Sequence, residues 1–162
     1  MKFLRILHGG SPYNLTAHPE RDETMARTFN LFISHSWTYG DAYDRLVELL
    51  NKRPYFSFKN YSVPKDDPIH KTPNDALLYQ AIKQQVSPSH VVIILAGVYA
   101  TYSKWINKEI RIAQTEFATP KAILAVEPWG SERTSRVVCD NADRIVKWNT
   151  DAIVDGIRAL VD

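Results

Sequence analysis

Apolar residues recur along this chain in two rhythms. Short continuous runs, as in Asn30-Leu31-Phe32-Ile33-Ser34 and His90-Val91-Val92-Ile93-Ile94-Leu95, read as strands buried on both faces, the second central in a parallel sheet. Between them, apolar residues return every three or four positions. Asp41 opens a helix with a Tyr43, Leu46, Val47 and Leu50 stripe, and Asn74 caps another with Leu77, Leu78, Ala81 and Ile82 on one face, ended by Pro88. Phe56 to Val63 supplies a shorter strand, and a turn-rich loop runs from Pro64 to about Pro73. A third helix, from about Ser103 to Phe117, carries Ile106, Ile110, Ala113 and Phe117 at spacings of 4, 3 and 4. Pro120–Val126 reads as a strand, Ser131–Ala142 as a polar helix and Arg144–Val146 as the last strand. A helix from Thr150 then buries Ile153, Val154, Ile157, Leu160 and Val161.

Strands alternating with helices predict an α/β fold with a doubly wound parallel sheet. Such sheets bind ligands beyond the carboxyl ends of their strands, at the point where strand order reverses. Three segments lie there: Ser34–Gly40, Pro64–Pro73 and Ala96–Glu109. In a flavodoxin-like order the switch falls between the first and third strands, so the first and third segments face each other across one crevice.

Residues 1–28 keep neither period and contain Gly9, Gly10, Pro12 and Pro19; they read as a flexible extension, with Met25 a second plausible start, and 29–162 as the domain. The net charge is +2, from 20 basic and 18 acidic residues, which gives no reason to expect nucleic acid or an anionic membrane as a partner. Cys139 is the single cysteine, so no internal disulfide can form and a reducing cytoplasm is the expected location. The longest apolar run, Val91–Ala100, is half of the ~20 residues that a membrane-spanning helix needs.

Two segments carry candidate chemistry. Ser34-His35-Ser36-Trp37-Thr38-Tyr39-Gly40 sets hydroxyls, an imidazole and two aromatic rings before a helix N-terminus, which offers free N–H groups to a phosphate. Trp37 and Tyr39 can stack on a base; equally, Trp37 can simply plug the sheet edge. In Ser103-Lys104-Trp105-Ile106-Asn107-Lys108-Glu109, Trp105 and Glu109 are four apart and share one side of a helix, offset from the Ile106/Ile110 stripe. A glutamate beside such a stripe ordinarily lies on a solvated flank, where truncation costs within about ±0.5 kcal/mol. The five histidines and Cys139 show no metal-ligand spacing, and no GxGxxG, Walker or GxSxG motif is present. A phospho-accepting receiver is excluded, because Ser34-His35-Ser36 and Ala96-Gly97 stand where it needs carboxylates.

The run Phe32-Ile33-Ser34-His35-Ser36-Trp37, together with Asn60–Pro64, Asp67-Pro68-Ile69, Gly97-Val98-Tyr99, Ser103–Ile110 and Pro128-Trp129-Gly130, resembles the TIR-like family. It is most similar to the bacterial branch that includes the signal-generating subunit of the Thoeris anti-phage system. The tryptophan-to-glutamate helix motif is its most specific element.

The resemblance implies a three-layer, flavodoxin-like fold with a five-stranded parallel sheet in the order 2-1-3-4-5. In catalytic members it implies cleavage of the nicotinamide–ribose bond of NAD, with Glu109 in the catalytic glutamate's position. Phe32, Ser34, His35, Ser36, Trp37, Tyr39 and Trp105 are then expected to contact the substrate. NAD is a substrate here rather than a cofactor, and no metal is implied. Partners expected on the same ground are NAD or a related nucleotide, further copies of the chain and a phage-derived trigger. Two alternatives stay open: a non-catalytic scaffold, and an N-glycosidase acting on another nucleoside or nucleotide.

Overall fold

The longest unbroken apolar run becomes the middle of the sheet. In the computed structural model, which describes residues 27–34, 41–63, 74–97, 104–129 and 133–162, the elements follow in strict alternation. They are β1 (Thr28–Ser34), α1 (Asp41–Asn51), β2 (Ser57–Asn60), α2 (Asp75–Val86), β3 (Val91–Leu95), α3 (Lys104–Thr115), β4 (Ala122–Val126), α4 (Arg136–Asn141), β5 (Arg144–Val146) and α5 (Thr150–Val161). All strand pairs are parallel and the order is β2-β1-β3-β4-β5, the flavodoxin-like arrangement expected. Every residue of β3 is buried, because α-helices cover both of its faces.

Alternation along the strands divides the core in two. Phe32, Val92, Ile94, Ile123 and Ala125 pack toward α2, α3 and α4. Leu31, Ile33, Val91, Ile93, Leu124 and Val126 pack toward α1 and α5. Because the side-chain period of a strand is two, Ser34 falls on the same face as Phe32, toward α3.

Several boundaries differ from the sequence expectation. β1 begins at Thr28, which pairs with Ser57, and Arg27 forms an ion pair with Asp162 at 3.0 Å; both residues join the domain, not the extension. In α2 the buried line is Leu78, Ile82 and Val86, while Leu77 is 61% exposed. The i, i+4, i+8 row is the one buried because it packs in a single cluster with Ile106 and Ile110 of α3 and with Phe32 and Val92 of the sheet. Asn74 does cap this helix, its side chain accepting from the N–H groups of Ala76 (2.8 Å) and Leu77 (3.4 Å). α4 is shorter than expected: Thr134 is used in an antiparallel bridge to Gly97, and the helix starts only at Arg136.

β2 stops at Asn60 for a local reason. The Asn60 side chain accepts from the Ser62 N–H at 2.9 Å, turning the chain out of the ladder. The Ser62 hydroxyl then takes the place of a backbone partner, accepting from the Ile33 N–H at 2.9 Å.

On the other face, α5 comes close enough to the sheet that a side chain at Gly156 would crowd its neighbours. A Cβ there would meet Leu124 Cδ1 at 3.1 Å and Val146 Cγ1 at 3.2 Å. Gly156→Val is therefore expected to cost about 1–3 kcal/mol through overpacking. Thermal unfolding checks this, and an unchanged melting temperature would contradict the close packing of α5.

Candidate active site

The site is built where β1 ends and α3 begins its second turn. Ser34 is the last residue of β1 and is 1% exposed; Glu109 of α3 is 7% exposed. The Ser34 hydroxyl donates a hydrogen bond to Glu109 Oε2, joining two residues 75 positions apart. Ser34 lies in register with Ile94 of β3, so the pair stands between the first and third strands, at the reversal of strand order.

Glu109 is thus not a solvated flank residue. The expectation that it sits on an exposed side, with little cost to truncation, is corrected by its burial. The reason is the rotation of α3, which turns Glu109 inward with Ile106, Ile110, Ile112 and Ala113. That rotation is held by polar ties to α2. Lys108 pairs with Asp75 at 2.9 Å, while Tyr79 and Lys83 both donate to Glu116, at 2.8 and 2.7 Å.

Burial removes water from the carboxylate and disfavours its charged form. The Glu109 carboxyl is pushed up to about 7, with the Ser34 hydrogen bond pulling in the opposite direction. A carboxyl group perturbed by burial in this way, at the ligand-binding edge of an α/β sheet, marks a candidate functional group.

The other expected contacts divide into three groups. Trp105, one helical turn before Glu109, is half-buried and packs against the core beside it. Phe32 lies in the core at 1% exposure, two residues before Ser34, with its ring in the cluster that faces α2, α3 and α4. His35, Ser36, Trp37 and Tyr39 lie outside the described residues, as does the segment 64–73.

Ser62 is a contributor that the sequence reading missed. Its hydroxyl fixes the backbone of Ile33, next to Ser34. It lies in the Asn60–Pro64 run that carries the family resemblance, but its contact with Ile33 depends on how β2 turns beside β1.

A groove between α1 and α5, on the opposite face of the sheet, is lined by Arg45, Lys52 and Arg53. Each of these cations has a carboxylate partner: Asp41, Glu48 and Asp151 respectively. Among the described residues no group of three or more His, Cys, Asp or Glu side chains could hold a metal ion, and no helix is long and apolar enough to cross a membrane. The Cys139 thiol is half-buried and pushed up by burial and by Glu127 and Asp140, so it is poorly reactive.

The family model described as "Thoeris protein ThsB, TIR-like domain" matches residues 32–133, well over half of the chain. The chain belongs to this TIR-like family. The match runs from two residues before Ser34 through the whole of α3, so both members of the Ser34–Glu109 pair lie inside it. It also places the chain with the Thoeris-related defence proteins. No curated protein matches the chain.

Proposed function

We propose that this TIR-like chain is an NAD-consuming enzyme of anti-phage defence. It cleaves the nicotinamide–ribose bond and forms a cyclic or otherwise modified ADP-ribose signal, with Glu109 as the catalytic carboxylate. One observation carries the reading: a buried carboxyl, hydrogen-bonded by Ser34 at the switch point of the sheet and poised near neutral pH.

The chemistry follows from charge. The nicotinamide ring of NAD is cationic, so the bond from ribose C1′ to the ring nitrogen breaks with its electron pair passing to nitrogen. Neutral nicotinamide leaves without needing a proton. Positive charge then develops on the ribose, as in glycoside cleavage, and a fixed carboxylate stabilises it most where water is excluded. Ser34 orients the carboxylate, and the half-buried Trp105 walls its flank. The ribosyl cation is captured by another group of the same ligand, which gives a ring, or by water, which gives linear ADP-ribose. Where the attacking group is water or a hydroxyl of the ligand, its proton passes to solvent.

The proton balance at Glu109 predicts a pH profile. Only the ionised form stabilises the cation, so kcat/KM should rise with pH through about 7 and then level off. The bound cationic ring favours ionisation, so the kcat profile should lie at lower pH. A kcat/KM that falls between pH 6 and 8 would contradict this role.

The reading is tested by incubating the full-length protein with NAD and resolving nicotinamide and ADP-ribose products by chromatography. Nicotinamide should appear together with a product whose mass and retention distinguish cyclic from linear ADP-ribose. Intact NAD, with no change in the protein's melting temperature on adding it, would leave a TIR-like scaffold instead.

A further inference from the structure

Trp129 is 71% exposed, an unusual place for so large an apolar ring. Single exposed apolar residues need no explanation by themselves, so its position is what matters. Trp129 follows β4 at the carboxyl end of the sheet, and the chain on both sides of it is fastened to one short stretch. The Val126 carbonyl accepts from the Ala96 N–H at 2.9 Å, and the Ala96 carbonyl accepts from the Ser135 N–H at 2.7 Å. Thr134 bridges Gly97 next to it. The chain therefore leaves the sheet at the end of β4 and is back over the end of β3 by Thr134. Pro128, with its fixed φ, stiffens the approach to Trp129.

Ser34 stands across β3 from this point. It is in register with Ile94, and Ile94 with Ala125, so the ends of β1 and β4 flank the same strand. At ~4.8 Å per strand they are roughly 10 Å apart.

A dinucleotide has two bases joined through a pyrophosphate. If its nicotinamide ribose reacts at Glu109, the second base must rest elsewhere along the same edge. We propose that Trp129 is the stacking platform for that unreacting purine, which makes it a substrate-binding residue that sets preference for a dinucleotide over a mononucleotide. This rests on the proposed NAD cleavage at Glu109. An indole face needs no hydrogen-bond complement, and one stacked base is worth roughly five- to 150-fold in affinity.

The test compares Trp129→Ala and Trp129→Phe with the wild-type chain, using NAD for turnover and ADP-ribose, which cannot release nicotinamide, for binding by calorimetry. Both variants should melt as the wild type does, because the ring is mostly exposed. Trp129→Ala should raise KM for NAD and Kd for ADP-ribose about tenfold or more with kcat nearly unchanged, and Trp129→Phe should restore both. If the wild type cleaves NAD and Trp129→Ala keeps its KM and Kd, stacking is overturned while the role of Glu109 stands. A loss of activity through altered oligomeric state, with Kd for ADP-ribose unchanged, also overturns it. If the wild type neither cleaves NAD nor binds ADP-ribose, the proposed function itself fails and the stacking role fails with it.

Discussion

Glu109→Gln should make the protein more stable above pH 7 while disabling it. The carboxyl is held at about 7 in the fold, against an ordinary value of 4.5, so between these limits the native state binds more protons than the unfolded chain. Stability must then fall as pH rises from about 4.5 to about 7, and level off above. Two and a half pH units correspond to about 3 kcal/mol. Glutamine has nearly the same shape and no charge to bury, so the variant escapes this loss. The measured quantity is the difference in unfolding free energy between wild type and Glu109→Gln, from denaturant titrations at pH 5 and pH 8. Taking the difference cancels His90, whose pKa is lowered by burial and by Arg27 and Lys121 and which acts with the opposite sign. The advantage of the variant should grow by about 2 kcal/mol between the two pH values, because part of the loss has already occurred by pH 5. A difference that does not change with pH would mean that Glu109 is not a buried, protonating group.

The same substitution should reduce nicotinamide release from NAD by at least ~10²-fold. That is the usual scale for removing one preorganised electrostatic contact to a developing charge. An amide keeps the shape and a hydrogen-bond acceptor for Ser34 but has no negative charge for the ribosyl cation, so kcat should carry most of the loss. Ser34→Ala should be milder, because the carboxylate survives and only its orienting hydroxyl is gone. It should also move the rise of kcat/KM to higher pH, since the Ser34 hydrogen bond lowers the Glu109 pKa. Steady-state kinetics across pH 5–9 checks both variants. Equal losses in the two, with unchanged pH profiles, would point to a structural rather than an electrostatic role.

The architecture was largely legible from sequence because it rests on local pattern. A β-branched run such as Val91–Ile94 has one comfortable environment, the centre of a parallel sheet, whereas the strand order that places the switch point came from the resemblance to the TIR-like family. The four-residue step from Trp105 to Glu109 likewise placed the carboxyl on α3 near that point. What sequence could not convey was which way each helix is turned about its own axis. Leu77 and Glu109 are the two clearest cases. An apolar residue of α2 ends in solvent and a charged residue of α3 ends in the interior, because helix rotation is set by contacts distant in the chain, such as Lys108 with Asp75 and Ser34 with Glu109. Phe32, two residues before Ser34 on the same strand face, sits one pleat deeper, where its ring fills core volume. The Ser62 support of Ile33 depends on how β2 ends beside β1, a contact between residues distant in the chain that the Asn60–Pro64 run alone does not reveal.

The most direct test of the central claim is nicotinamide release from NAD by the wild-type protein and Glu109→Gln, measured side by side at pH 8, where the variant should be at least as stably folded. The account predicts release by the wild type and a loss of ~10²-fold or more in the variant. Equal rates in two folded proteins would remove Glu109 from the chemistry and contradict the account.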